Sequence, residues 1–403
     1  MYKMTKNKLI INFLQTTTGG GLQNAISFLQ TLIDEKKYTK KIIAIVRKNT
    51  LIHEILKKNN IEYIAINDNN LHRFIFELRH RKYFKKGQVC FYPFGVAMLR
   101  SQDYLINIGG CAFSNLFYPE INFWGYLPFY KRFFKYLKDW YRKSFIKKMD
   151  YWIFETEILR RRAIEFFNFP EDRTIFINMA PSTFVSKLNT DDKIVNKYKN
   201  LFNKKFVFLY LSVAHPNKRI HLLPSIAREL LNLGIDDFLF VTTMNHKHSY
   251  TRAVLLEVEK NSVVNFFMNI GPINQDQISS LLNSIDVMCN LSLLESFSNN
   301  FIEAWKMEKP LVVTNADWSR SICGDAAIYI NPLDSYASAK AFSELILNPE
   351  LKLKLQEEGI KKLKSFNTPL KKNLKYFEAI EHCKKIGNLN KNSRKNIFKY
   401  LSI

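Results

Sequence analysis

Long apolar runs are missing from this 403-residue chain. No stretch approaches the ~18 consecutive apolar residues that a membrane-spanning helix needs, so no segment is expected to cross a bilayer by itself. Cysteine is scarce and scattered. Cys90, Cys111, Cys289, Cys323 and Cys383 are odd in number, widely spaced and free of any CxxC pair, which argues against a disulfide framework and a cysteine zinc site and fits a reducing cytoplasm. Glycine and proline are few, at 13 and 12 residues, and 47% of the chain is hydrophobic, so composition excludes global disorder. The opening MYKMTKNKLIINFLQ has a basic start, but its apolar run is short and is followed by Gly19–Gly21 rather than a cleavage site. It reads as a first β-strand.

Acidic residues are the remaining deficit: 36 Asp and Glu stand against 60 Lys and Arg, a formal charge of +24. Such a field draws in anions, whether nucleic acid, lipid headgroups or phosphorylated substrates, and charge alone does not choose among them. A lysine-rich, low-GC genome would account for part of the bias.

What is present is a repeated alternation of short apolar runs with segments of helical period. The runs fall near residues 9 (LIINFL), 41 (KIIAIV), 63 (YIAI), 89 (VCFY), 104 (YLINI) and 151 (YWIF). They resume at 206–213, 238–243, 263–267, 286–292, 310–315 and 327–331. Continuous apolar strands alternating with helices predict α/β domains whose parallel sheets are buried on both faces. The polar stretch 186–205 breaks the rhythm and reads as a linker. The expected organisation is a Rossmann-like domain at 1–185, the linker, a second Rossmann-like domain at 206–365, and, at 366–403, a helix crossing back to the first domain plus a Lys/Asn-rich basic tail.

The most informative segment is Leu293-Leu-Glu-Ser-Phe-Ser-Asn-Asn-Phe-Ile-Glu-Ala-Trp-Lys-Met-Glu-Lys-Pro310, in which a strand ends, a loop follows, and a helix begins near Ser298 or Asn299. Amides in a first helical turn have no internal partners and sit at the positive end of the helix dipole, so Ser298, Asn299 and Asn300 offer a site for a phosphate or a polar sugar. Glu295 lies in the loop. Glu303, one turn into the helix, is placed to accept hydroxyl protons from a ribose.

Two glutamates with seven residues between them, followed by Ala304, Pro310 and Val313 and closed by Gly324-Asp-Ala-Ala327 and Pro332, resemble the retaining family-4 glycosyltransferases. Upstream, Gly271-Pro-Ile and Asp286-Val-Met fall in the same register. The resemblance is close over 205–365 and looser in the amino-terminal half. It implies a GT-B fold, two Rossmann-like domains facing across a cleft, and transfer of a sugar from a nucleotide diphosphate-sugar with retention. It assigns Glu303 to the nucleotide ribose and Glu295 to the transferred sugar.

Ser212-Val-Ala-His-Pro-Asn-Lys-Arg219 resembles the family loop whose lysine neutralises the donor diphosphate, and Lys218 stands in that place. A fixed cation there stabilises a leaving group that gains charge as the glycosidic bond breaks. Many relatives carry an arginine five residues before this lysine. Here that position is Val213, which leaves Arg219 as a substitute or one contact unmade. In the first domain Thr16-Thr-Thr-Gly-Gly-Gly21 follows the first strand, with a helix expected from Leu22, and the resemblance assigns Gly19, Gly20 and Gly21 to the donor phosphate or sugar. The family's histidine near the reacting sugar has no counterpart in Gly109–Pro119. Ser114 and Asn115 are the polar candidates there for sugar or acceptor contacts, against the alternative of a plain polar turn.

Residues 128–149 carry Tyr130, Phe133, Phe134, Leu137, Trp140, Tyr141 and Phe145 at helical spacing among eight basic residues, the pattern of a helix lying on an anionic membrane surface. The alternative packs the apolar stripe on the domain's own sheet. A second basic amphipathic piece runs from Lys371 and includes Ser393–Tyr400. No Asp-x-Asp is placed after a strand to hold a divalent ion, and no metal or other cofactor is expected, Lys218 and helix-start amides neutralising the phosphates instead. The expected partners are a nucleotide-sugar donor and a glycan or lipid-linked acceptor, in surface polysaccharide synthesis at the cytoplasmic face of a membrane. A sugar-nucleotide epimerase of the same fold is one alternative. A basic nucleic-acid-binding protein is another, disfavoured because neither a reading helix nor aromatic RNA-binding strands are evident.

Overall fold

A computed structural model describes residues 8–16, 19–36, 39–67, 69–79, 83–95, 105–111 and 113–387. The chain divides into two compact units: one runs to Met179 and resumes at Asn367, and the other is Ala180–Phe366.

The first unit holds β1 (Leu9–Asn12), β2 (Ile42–Arg47), β3 (Tyr63–Ile66), β4 (Val89–Tyr92), β5 (Ile106–Cys111), β6 (Tyr151–Phe154) and β7 (Thr174–Phe176). Their order is β3-β2-β1-β4-β5-β6-β7, and every pairing is parallel. LIIN, VCFY and YWIF are buried throughout, as strands covered on both faces must be. β7 had no counterpart among the sequence expectations: three residues behind Pro170-Glu-Asp are too short a run to register as a strand.

The helix Pro369–Gly387 belongs to this first unit. Phe377 stacks on Phe28 of the helix Gly19–Asp34 at 4.7 Å between ring centroids, and the Asn373 amide donates to the Thr31 hydroxyl at 2.8 Å. Buried between the same helices, Lys372 donates to the Asn24 side-chain oxygen at 3.1 Å. Burial draws its amine down to about 8, with Glu155 working in the opposite direction. The basic piece Ser393–Tyr400 lies outside the described residues.

The second unit holds β8 (Phe206–Tyr210), β9 (Phe238–Thr242), β10 (Phe267–Asn269), β11 (Val287–Asn290), β12 (Leu311–Thr314) and β13 (Ile328–Ile330), ordered β10-β9-β8-β11-β12-β13 and again wholly parallel. Phe208, Phe240 and Phe342 pack together in its core. The run at 263–267 departs from expectation, because Val264–Phe266 forms a 3-10 turn and the strand starts only at Phe267.

The stretch 186–205 is not a bare connection. It contains the helix Asp192–Leu201, capped by the Asp191 carboxylate, which accepts from the Lys193 and Ile194 amides. Val195 and Tyr198 are buried on one face, and the Asp191 amide donates to the Ser280 hydroxyl at 2.8 Å, so this segment is part of the second unit. Two apolar residues three apart make a narrow stripe that surrounding Lys and Asn hide in the sequence.

Each sheet reverses its strand order once, between β1 and β4 and between β8 and β11. Loops leaving the carboxyl ends of strands diverge at such a point and leave a crevice, which is where open α/β sheets bind ligands.

Candidate active site

In the second unit the loops leaving β8 and β11 flank the reversal point. After β8 the chain passes through a 3-10 turn, Pro216–Lys218, that the His215 ring caps by accepting from the Asn217 amide at 3.1 Å. Asn217 then stitches the two loops together. Its side-chain amide donates to the Leu294 carbonyl at 2.9 Å, and its own carbonyl accepts from the Leu293 amide at 2.8 Å. A second tie comes from the end of β8. The fully buried Tyr210 hydroxyl donates to the Lys218 carbonyl at 2.7 Å and accepts from the Leu291 amide at 3.1 Å, with the Ser292 hydroxyl 3.2 Å away.

These ties bring Lys218 and Glu295 into an ion pair, and the Ser292 hydroxyl donates to the same Glu295 oxygen at 2.7 Å. Both side chains keep some exposure, 20% for Lys218 and 15% for Glu295, so an incoming anion can compete for the ammonium. Arg219 follows in the left-handed conformation, φ 52°, and is half-buried. Its guanidinium forms no hydrogen bond or ion pair with any described residue.

The helix Asn299–Lys306 starts beside this pair. Its N-cap Ser298 makes no side-chain capping bond, its hydroxyl instead accepting from the Asn290 amide at 3.2 Å. The Phe301 amide turns back to the Ser298 carbonyl at 3.1 Å, and the Asn299 and Asn300 amides are left without the side-chain acceptor that a capping serine normally supplies. Asn300 fixes the helix start to the end of β8 by donating to the Leu211 carbonyl at 2.6 Å. Glu303 lies one turn further in, flanked by buried Phe301, Ile302, Ala304 and Trp305, and is itself only 4% exposed. Burial pushes its carboxyl up to about 7, against the opposing pull of Lys306 and of a hydrogen bond from the Ser182 backbone. Sequence reasoning singled out Lys218, Arg219, Glu295, Ser298, Asn299, Asn300 and Glu303 but missed Tyr210, Asn217 and Ser292. A tyrosine inside FVFLY reads as one more buried strand residue, and only the parallel pairing of β8 with β11 puts it under both loops.

In the first unit Gly19, Gly20 and Gly21 are the opening residues of a helix rather than a loop before one, so the helix starts three residues earlier than Leu22. A Cβ on Gly21 would sit 3.2 Å from the Phe94 ring, and a glycine keeps that approach open. Ser114 and Asn115 open a short helix, Ser114–Phe117. Ser114 is buried, and the Asn115 amide is bound at 2.8 Å to the Asp139 carboxylate, which also receives the Trp124 indole and the Arg142 guanidinium. This pair anchors the helix Phe129–Ile146 to the unit.

That helix is built inside out. Of its 18 residues only Asp139 and Ile146 are buried, while Phe129, Phe134 and Trp140 are 82%, 68% and 71% exposed. Among the described residues no helix is long and apolar enough to cross a membrane, and no cluster of three or more His, Cys, Asp or Glu side chains is arranged to hold a metal ion.

Residues 192–362 match the family model described as glycosyl transferases group 1. No curated protein matches the chain in sequence. Among solved structures, the chain is similar to a glycosyltransferase from Rickettsia africae, at 14% identity and a TM-score of 0.69, with 94% of this chain and 99% of that one covered. It is similar to Anabaena Alr3699/HepE, solved with UDP and glucose, at 13% identity and 0.68 over 93% and 99%. It is also similar to WaaG, described as a glycosyltransferase involved in lipopolysaccharide biosynthesis, at 11% and 0.68 over 92% and 99%. These likenesses establish the GT-B fold.

Proposed function

We propose that the chain, a glycosyltransferase by its matched domain and its GT-B fold, moves a sugar from a nucleotide diphosphate-sugar to a hydroxyl of a lipid-linked glycan with retention of anomeric configuration. The observation that carries this reading is the placement of the Lys218–Glu295 pair beside the uncapped start of the Asn299–Lys306 helix. A diphosphate entering there meets an ammonium and free backbone amides together, and both act more strongly on the departing group than on the intact donor. Lys218 then exchanges Glu295 for phosphate, and the freed Glu295 carboxylate turns to the hydroxyls of the transferred sugar.

Glu303 accepts hydrogen bonds from the ribose in its ionised form, and Arg219 supplies a second cation. The bond between the sugar and the phosphate oxygen breaks as the acceptor oxygen bonds to the same face of the sugar. The acceptor proton passes to the departing phosphate. Gly19, Gly20 and Gly21, at the amino end of their own helix, present backbone amides suited to an anionic or polar group.

The exposed aromatic and basic helix Phe129–Ile146 supports docking on an anionic membrane surface, where lipid-linked acceptors reside. The setting that follows is surface polysaccharide synthesis at the inner face of the cell membrane. A panel of nucleotide diphosphate-sugars, tested for thermal stabilisation of the protein at physiological salt beside an oligonucleotide, checks the donor. At least one sugar nucleotide is expected to raise the melting temperature saturably, and stabilisation by the oligonucleotide alone would overturn the assignment. Proton NMR of the product checks retention, which an inverted anomer would exclude.

A further inference from the structure

The second unit has another charged depression, at the opposite edge of its sheet. It encloses about 350 Å³ and is lined by Lys199, Lys204, Lys205 and Lys309, with Asp286 the one acidic group on its wall. Val207 at the start of β8 and Asp286 just before β11 place it at the amino ends of strands whose carboxyl ends carry Lys218 and Glu295. The two places are therefore distinct.

The local charge is not balanced from within. One Asp286 oxygen accepts from the Val207 amide at 3.0 Å and the other from Lys352 at 2.7 Å, so the depression's carboxylate is already paired with a lysine that does not line it. Lys309 reaches under the end of a helix and donates to the Ile285 carbonyl at 2.8 Å, and Lys205 turns away to the Asn265 carbonyl at 3.3 Å. The side-chain ammonium groups of Lys199 and Lys204 have no hydrogen-bond or ion-pair partner among the described residues. Lys204 is moreover held in the left-handed conformation, φ 56°, directly after Asn203 at φ 52°. For a residue with a Cβ that conformation is uncommon and costs energy, and it recurs where a backbone is bent to place a group. Burial first, and neighbouring Lys352, Lys187 and Lys199 with it, draw the Lys309 amine down to about 8 despite Asp286. Like charges crowded beside a carboxylate already paired with Lys352 form a site that an anion would relieve.

We infer that this depression is a binding site for a small anion carrying two phosphate groups, separate from the donor site and held chiefly by Lys199, Lys204 and Lys309. Its volume is that of a small-molecule pocket, and its free ammonium groups match a multiply charged ligand. The inference stands whether or not the donor reading does.

Pyrophosphate is the probe, titrated at constant ionic strength while the melting temperature of the full chain is followed. All variants carry Lys218→Ala, so that the donor site does not contribute. A saturable rise is expected in Lys218→Ala alone. Adding Lys199→Ala with Lys204→Ala should weaken the apparent affinity at least ten-fold. Adding Lys193→Ala with Lys197→Ala, exposed lysines of the same helix outside the depression, should leave it unchanged. Equal weakening by both pairs would reduce the effect to general charge and overturn the proposal. So would a response that Lys218→Ala already abolishes, or a Lys199/Lys204 pair without effect. Circular dichroism of each variant confirms that the fold is retained.

Discussion

The Tyr210 hydroxyl donates to the Lys218 carbonyl at 2.7 Å while accepting from the Leu291 amide, so one buried phenol sets the spacing of the loops that bring Lys218 against Glu295. Tyr210→Phe keeps the ring and removes the tie. The buried Leu291 amide left without its acceptor costs about 1 to 3 kcal/mol, and denaturant unfolding should show a loss of that size. Sugar transfer should fall about ten-fold or more in kcat/KM, because Lys218 and Glu295 lose their register. Steady-state kinetics that match the wild type would show that the phenol serves packing alone.

Glu303 yields a prediction in which stability and binding move in opposite directions. Its folded carboxyl holds a proton up to about 7, against an ordinary value of 4.5. The folded state therefore binds more protons than the unfolded one between those values, and stability falls as pH rises through that window. Above it the cost is of order 3 kcal/mol. Glu303→Gln removes the ionisation, so the variant should melt higher than wild type at pH 8, with the gap closing toward pH 5. Under the donor assignment, Glu303→Ala and Glu303→Gln should each bind the nucleotide sugar at least ten-fold more weakly. Calorimetry at both pH values reads both effects.

Lys218→Ala should reduce transfer far more than it reduces stability, since its ion pair with Glu295 is partly exposed and such pairs contribute little to folding. The test is the ratio of kcat for variant and wild type set beside their melting temperatures. A variant with normal kcat would remove Lys218 from the proposed chemistry.

The helix Phe129–Ile146 should carry the protein onto vesicles. Replacing Phe129, Phe134 and Trp140 together by serine removes exposed rings without touching Asp139 or Ile146, which anchor the helix. Co-sedimentation with phosphatidylglycerol vesicles should drop at least ten-fold while the melting temperature holds. Wild-type binding should weaken with added salt, because lysine and arginine contacts to anionic headgroups are screened. Binding to neither charged nor neutral vesicles would point the rings toward a protein partner instead.

Gly110→Ala probes the first unit. A Cβ there would stand 2.4 Å from the Pro93 carbonyl oxygen, a backbone atom that cannot rotate away. Destabilisation of about 2 kcal/mol or more is expected in a denaturant titration.

The parallel sheets were legible because VCFY, YWIF and FVFLY are apolar throughout, which is what burial on two faces demands. The Glu295 and Glu303 spacing and the Lys218 loop were legible because they are local. What escaped depends on contacts between distant segments. Asn115 reads as a free polar turn until Asp139, 24 residues on, takes its amide. The Val195 and Tyr198 stripe reads as linker until Ser280 and Ser284 close over it. For residues 128–149 periodicity identified the helix but could not say which face turned inward, and it is the acidic Asp139 that does.

The helix Pro369–Gly387 brings a constraint on biosynthesis. It supplies Phe377, Ala379, Ile380 and Cys383 to a core whose other members lie before residue 178, with all of Ala180–Phe366 encoded in between. On the ribosome, the earlier-made half waits with Phe28 and Phe91 uncovered while the later unit emerges and closes on itself. Completion of the first unit thus has to wait for synthesis of the whole second unit, and a chaperone that shields aromatic surface would act on this intermediate.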